Sequence, residues 1–199
     1  MSKSKNESRA PSGRVRIIAG KWRGRTLKVL EHPGLRPTPD RVRETLFNWL
    51  GMNVVGARCL DLFAGTGALG YEALSRGAKE VVFVDKFPPA IKALHESAIN
   101  FNALPYCKIV RESAVSYLEQ IKNKDEVFDI IFLDPPFATP LLAQSISLLA
   151  TSKLVGPHTL IYLESPRSLT AEDLPAHWQV LKEKVAGEVA YHLVQGQSA

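Results

Sequence analysis

The chain has 199 residues, 45% of them hydrophobic and 23% charged, with 13 glycines and 13 prolines. This is ordinary globular usage with enough chain for one buried core, and it excludes collagen-like, low-complexity and disulfide-scaffold proteins. The net charge of +5 is unevenly placed: residues 1–50 carry twelve Lys and Arg against four Asp and Glu, whereas residues 51–199 carry thirteen against sixteen. A basic end on an otherwise slightly acidic chain reads either as a polyanion contact or as a solvated face. Cys59 and Cys107 fall in apolar stretches and read as two reduced, buried thiols. The first residues lack an apolar signal core, and no run approaches the roughly eighteen apolar residues of a membrane span, so a cytoplasmic protein is expected.

In chain order, residues 1–13 read as a disordered basic tail. Arg14 to Ile18 and Thr26 to Leu30 read as short strands around the Gly20–Gly24 turn. A proline-rich loop, Pro33 to Pro39, leads into a helix over Asp40 to Leu50, whose apolar stripe is Val42, Leu46, Trp49 and Leu50. These elements form an expected N-terminal extension over 14–50. From residue 51 onwards, strands and helices alternate. The strands are expected at Arg58 to Phe63, Glu80 to Val84, Cys107 to Val110, Phe128 to Leu133 and Thr159 to Glu164. The helices are expected near 67–76, 88–102, 114–122 and 140–150. Continuous apolar strands such as Ile130-Ile131-Phe132-Leu133 suit a parallel sheet covered on both faces. Trp178 to Val185 and Glu188 to Val194 leave no room for a helix between them. The expected fold is therefore α/β: a doubly wound, Rossmann-like, seven-stranded and mostly parallel sheet over 51–199, closed by an antiparallel hairpin.

The sharpest motif is Asp61-Leu62-Phe63-Ala64-Gly65-Thr66-Gly67-Ala68-Leu69-Gly70, an apolar strand running through a glycine-rich turn into a helix. Glycines at such a turn let the backbone approach a ligand closely, and Asp85, at the end of the next strand, suits two ribose hydroxyls. The spacing also fits a dinucleotide fingerprint or a tight turn with no ligand. Asp61, just ahead of the loop, repels a pyrophosphate and favours a cation. S-adenosylmethionine, with a ribose, an ammonium group and no phosphates, matches both carboxylates.

The fourth strand of the alternating series ends in Asp134-Pro135-Pro136-Phe137. In an open parallel sheet the strand carboxyl ends border the ligand crevice, which sets this corner opposite the glycine loop. Two prolines hold the backbone extended and remove two N–H donors, leaving carbonyls and the Asp134 carboxylate as acceptors. That set suits the exocyclic amine of a nucleobase, with Phe137 offering a face for stacking. An ordinary Pro-Pro turn over a buried Phe is the other reading. Neither cysteine falls near this corner, as C5-pyrimidine methylation would require. No His/Cys cluster has zinc spacing, so no metal is expected.

With these motifs the chain resembles the class I S-adenosylmethionine-dependent methyltransferases. More narrowly, it resembles the bacterial family that methylates a guanine N2 of 16S rRNA. The resemblance covers nearly the whole chain. Its specific parts are Arg16-Ile17-Ile18-Ala19-Gly20-Lys21-Trp22-Arg23-Gly24-Arg25 and the block from Leu35 to Leu50 that includes Pro37-Thr38-Pro39-Asp40-Arg41-Val42-Arg43-Glu44. It implies a donor held by Asp61, Phe63, Gly65, Gly67 and Asp85, with Ser113 and Ala114 at the adenine ring, where related enzymes often carry an aspartate. It places Thr38, Arg41, Glu44 and Asn48 near the methionine end of the cofactor. By spacing alone, Arg41 and Glu44 are equally a surface ion pair. Asp134, Pro135 and Phe137 then meet the acceptor amine, and Arg14, Arg16, Lys21, Arg23, Arg25, Arg36 and Arg43 become RNA contacts. The implied partner is 16S rRNA within a small ribosomal subunit or an assembly intermediate, and the protein is expected to be a monomer. The competing readings are a DNA adenine-N6 methyltransferase and a catalytically silent RNA-binding assembly factor.

Overall fold

The structure, a computed structural model, describes residues 13–29, 38–137, 139–187 and 189–197. The N-terminal tail, most of the proline-rich loop and Arg36 lie outside the described residues. Two antiparallel strands, β1 (Arg14–Arg16) and β2 (Thr26–Lys28), precede α1 (Asp40–Leu50). The alternating series follows as β3 (Arg58–Asp61), α2 (Ala68–Ser75), β4 (Glu80–Asp85), α3 (Pro88–Asn100), β5 (Cys107–Arg111), α4 (Ala114–Ile121), β6 (Phe128–Leu133), α5 (Leu141–Ala150) and β7 (Val155–Ser165). A hairpin of β8 (Gln179–Ala186) and β9 (Val189–Gln195) ends the series.

The seven-stranded sheet has the order β5-β4-β3-β6-β7-β9-β8, parallel through β7 and antiparallel where β9 joins β7 and β8. The chain winds outward from β3 to β5, then returns to build on the other edge of β3 from β6. The neighbours β3 and β6 therefore flank the point where the winding reverses, the place at which open α/β sheets bind ligands. Apolar side chains cover both faces. Cys59, Phe83, Ile130 and Phe132 pack under α1, α2, α3 and the N-terminal strands, while Leu60, Val82, Ile131 and Leu163 pack under α4 and α5.

Two features differ from the sequence reading. Strand β7 begins at Val155 rather than Thr159. The turn-forming Gly156-Pro157 pair is absorbed as an irregularity: Phe128 pairs with Val155, yet Ile130 already pairs with Leu160. The Thr159 hydroxyl stitches this bulge by donating to the Phe128 carbonyl at 2.7 Å and accepting from Gly156 N–H at 2.8 Å. Second, the division expected at residue 50 does not coincide with a break in the core, because Val15, Ile17, Trp22 and Leu27 belong to the same buried cluster as the sheet.

The N-terminal strands are held against α2 by a buried acid. Glu72, fully buried, accepts from Ile18 N–H at 2.7 Å and Ala19 N–H at 3.0 Å, and pairs with Arg76 at 2.7 Å and Arg43 at 3.6 Å. Ser75 accepts from Trp22 N–H and donates to the Ala19 carbonyl. Gly20 is required there: at φ +83° its backbone lies so close that an added Cβ would sit 1.8 Å from the Ser75 carbonyl oxygen. Trp22 then stacks on Phe101 with ring centroids 4.9 Å apart.

Candidate active site

Carboxylates line the rim formed by the strand carboxyl ends. Asp61 closes β3, Asp85 closes β4, Asp134 follows β6, and Glu164 stands near the end of β7. Asp61 is almost wholly buried and accepts from Gly70 N–H at 3.2 Å and from Phe63 N–H. Burial, only partly offset by those bonds, pushes its carboxyl up to about 7. Asp85, half-buried, bridges two loops by accepting from Gly65 N–H and Phe87 N–H, each at 2.8 Å. Each carboxylate has about four lone-pair sites, so both retain acceptor capacity.

The glycine loop is built differently from the simplest reading. Gly67, at φ +79°, opens α2, and an added Cβ would lie 2.6 Å from the Tyr71 ring and 2.7 Å from Leu94. A Cβ on Gly70 would lie 2.2 Å from Phe83. Packing of α2 onto α3 and β4 requires both glycines. Gly65, at φ +52°, is tied by its N–H to Asp85.

At the opposite lip, Asp134 Oδ2 accepts from the Thr38 hydroxyl at 3.1 Å. Pro135 is buried, whereas Phe137 is 41% exposed and leaves a ring face open to a planar ligand. Burial, together with the nearby charge of Glu164, raises the Asp134 carboxyl well above the ordinary carboxylate range. Burial also raises Glu164, whose Oε1 accepts from the Tyr162 hydroxyl at 2.7 Å.

Asp61, Phe63, Gly65, Asp85, Asp134, Pro135 and Phe137 thus stand at or just beyond the carboxyl ends of the adjoining parallel strands β4, β3 and β6. Ser113 lies nearby at the end of β5, but it caps α4 by accepting from Ser116 N–H at 3.2 Å; Ala114, the first residue of that helix, is buried. Thr38, two residues ahead of α1, meets Asp134. Arg41 and Glu44 form no one-turn ion pair; the pair on α1 is Asp40–Arg43 at 2.7 Å. Glu44 instead faces a cleft of about 300 Å³ between α1 and the N-terminal strands, shared with Arg16, Arg23 and Asp40.

Among the basic residues, Arg14, Arg16, Lys21, Arg23 and Arg25 are exposed, although Arg25 also donates to the Asn100 carbonyl at 2.6 Å. Arg43 is a correction. It is fully buried, donates to the Arg16 carbonyl and Asp40 at 2.7 Å each and pairs with Glu72, so it is a structural cation and not an RNA contact. Sequence reasoning missed Glu164 and Tyr162. The available signal was positional, since Glu164 ends an apolar strand as Asp61, Asp85 and Asp134 do.

The family described as "Conserved hypothetical protein 95" matches residues 15–195. Ribosomal RNA small subunit methyltransferase D of Escherichia coli K12 is 44% identical over 98% of this chain and 96% of its own length. The Haemophilus influenzae protein of that name is 45% identical over 92% of this chain and 94% of its own. The solved structure of Escherichia coli yhhF superposes with a TM-score of 0.83 at 44% identity, covering 94% of this chain and all of that one.

Proposed function

The chain belongs to the family described as Conserved hypothetical protein 95, and we infer from that membership and its relatives that it is an S-adenosylmethionine-dependent rRNA methyltransferase whose acceptor is the exocyclic N2 amine of a guanine. The observation that supports this choice of acceptor is that the Asp134-Pro135 corner and the Gly65 loop follow the carboxyl ends of the neighbouring parallel strands β6 and β3. The substrate on this reading is 16S rRNA in the small ribosomal subunit or an assembly intermediate, and the protein acts as a monomer in the cytoplasm. Among the described residues, no helix is long and apolar enough to cross a membrane.

The residues present fit the cofactor. Asp85 offers acceptors to a ribose diol, and the Asp61 charge favours a cation behind the loop. When bound, S-adenosylmethionine supplies an electrophilic methyl group on a sulfonium. The protein's own work is orientation. The guanine N2 lone pair is delocalised into the ring. Hydrogen bonds from the amine to Asp134 and the Pro135 carbonyl favour a tetrahedral nitrogen and aim its lone pair at the methyl. Phe137 stacks on the base, worth about 1–3 kcal/mol. On this reading Asp134 takes the proton that the alkylated amine must lose. The exposed Arg14, Arg16, Lys21 and Arg23 offer cations to RNA phosphates from the N-terminal strands and their turn, which packs beside Ser75 and Phe101 at the far ends of α2 and α3.

Two outcomes test this reading. Label from S-adenosylmethionine is expected to enter small-subunit rRNA and not duplex DNA; transfer to DNA alone would make the enzyme an adenine-N6 type. RNA affinity is expected to fall steeply with salt, with a slope smaller by about 0.7–0.9 for each phosphate contact removed. Alanine substitution of Arg14, Arg16, Lys21 and Arg23 is the suitable perturbation, because truncating this segment would also strip Ile17 and Trp22 from the core. A salt slope unchanged by all four substitutions would assign the RNA footprint to another surface.

Asp61 adds a pH prediction. Its folded value of about 7 lies above its ordinary 3.8, so its contribution to stability is full below that ordinary value and is lost as pH rises through about 7. A bound cation favours the ionised carboxyl. Cofactor binding near neutral pH should therefore release part of a proton and tighten as pH rises. Calorimetry in buffers of different ionisation enthalpy measures this; proton uptake, or equal release by Asp61→Asn, would contradict it.

A further inference from the structure

The cleft of about 300 Å³ between α1 and the N-terminal strands has no part in the reaction above. Its walls carry charges of both signs. Arg16 and Arg23 line it from β1 and the Gly20–Gly24 turn, Asp40 and Glu44 line it from α1, and Ile17 and Ile18 lie among them. Opposite charges lining one small cleft ordinarily neutralise each other. Among the described residues, however, Arg16, Arg23 and Glu44 have no side-chain hydrogen bond or ion pair. The two walls are held at a fixed separation by Arg43, which donates to the Arg16 carbonyl on one and to Asp40 Oδ1 on the other, at 2.7 Å each. That brace is wholly buried and also pairs with Glu72, so the cleft is formed before anything enters it.

Ligand pockets run from about 300 to 1,000 Å³, so this one suits a single nucleotide and not a duplex. A simple anion is repelled by the two acids, and a simple cation by the two guanidiniums. A nucleotide complements both walls: its phosphate oxygens suit arginine, and the N–H donors of an exocyclic amino group suit a carboxylate. Guanine presents two adjacent donors to the two carboxylate oxygens, whereas uracil has no amino group and turns carbonyl oxygens towards the acid. Unstacked bases of single-stranded RNA are read in this way, along their Watson–Crick edge and against guanidinium planes. The methionine end of the cofactor also carries both charges. The acids that suit the cofactor, Asp61 and Asp85, nevertheless end β3 and β4, whereas the turn bearing Arg23 is held by Ser75 at the far end of α2. The α1 wall begins two residues beyond Thr38, whose hydroxyl bonds Asp134 at 3.1 Å. We propose that the cleft is a second nucleotide subsite for the substrate RNA. It takes an unpaired nucleotide other than the methylated one, with Glu44 accepting from the amino group of its base and Arg16 and Arg23 meeting its phosphate. The proposal rests on the function inferred above.

The sign of one substitution carries the test. Taking a negative charge off a basic face should by itself strengthen RNA binding. Glu44→Gln in the full-length protein should instead weaken binding to small ribosomal subunits by about tenfold at fixed salt, because it trades a carboxylate oxygen for an N–H donor. Glu44 is exposed, so the substitution leaves the core intact. A second measurement uses GMP and UMP as probes in amide NMR spectra of the protein. GMP should shift Ile17, Ile18 and Gly24 several-fold more than UMP does at equal concentration, and Glu44→Gln should remove that difference. The proposal is overturned by a Glu44→Gln protein that binds subunits as well as or better than the wild type, by equal responses to the two nucleotides, or by GMP shifts confined to the Gly65 loop. Loss of S-adenosylmethionine affinity in Glu44→Gln would also overturn it, assigning the cleft to the cofactor's methionine end. A wild-type protein inert on rRNA would overturn the inferred function instead, while the GMP titration, which needs no turnover, would still decide the cleft.

Discussion

Asp134→Ala is expected to lower kcat for methyl transfer by about a thousandfold while leaving cofactor and RNA affinities nearly unchanged. The loss falls on kcat because the Asp134 carboxylate bonds the amine most strongly as its nitrogen becomes tetrahedral and acidic, which happens on the way to the transition state. Stability should move the other way. Burial, with the Glu164 charge, raises the Asp134 carboxyl above its unfolded value, so its contribution to stability falls as pH rises above the ordinary carboxylate range, and removing it should hold or raise Tm at neutral pH. Asp134→Asn keeps an acceptor oxygen and should retain more activity than the alanine variant. Single-turnover transfer beside a thermal melt separates the cases. Turnover near the wild-type level would remove Asp134 from the mechanism, and a fall in Tm with lost cofactor binding would make its role structural.

The second large effect is on the fold. Glu72→Ala should destabilise the protein by about 3–5 kcal/mol, because it leaves the buried Arg43 with only the partly exposed Asp40 as its carboxylate and takes the partner from Arg76. It also strips the acceptors from Ile18 and Ala19 N–H. For a chain of this length that is roughly 10 °C or more in Tm. The damage should begin at the N-terminal strands, whose attachment to α2 runs through Glu72 and Ser75. Hydrogen exchange at Ile18, Ala19 and Trp22 should therefore rise before exchange in β3 or β6. A melt within about 2 °C of wild type would mean the hairpin is held by its apolar contacts alone.

The parts of the fold that the sequence declared were those specified by neighbouring residues. Strand β6 is a continuous apolar run stopped by Asp134-Pro135-Pro136, and α1 is a 3.6-residue stripe stopped by Gly51; both occupy the residues expected. Strand β7 reaches back beyond the expected Thr159 start to Val155, across an irregularity that the long-range bond from Thr159 to Phe128 closes. Arg43 shows the same limit in the site. Its sequence neighbours are those of a surface arginine, and its burial depends on Glu72, which only the tertiary fold delivers. The glycine motif was recognisable, but the packing that requires Gly67 and Gly70 was not, since Tyr71, Leu94 and Phe83 meet them only in the fold. The Thr38–Asp134 bond spans 96 residues and had no local trace. Glu164 did have one, as an acid ending an apolar strand, the position shared by the three acids that were found.

Among the described residues, Asp61, Asp85 and Asp134 stand at the strand carboxyl ends, and the exposed Arg14, Arg16, Lys21, Arg23 and Arg25 stand on the N-terminal strands and their turn. The acidic rim suits a cationic methyl donor, and the basic hairpin suits the phosphates of its acceptor. The most direct test of that account is mass spectrometry of small-subunit rRNA nucleosides from cells with and without the gene. The account predicts that one N2-methylguanosine is lost with the gene and restored by the wild-type protein but not by Asp134→Ala. An unchanged nucleoside profile, or the loss of a different modification, would contradict it.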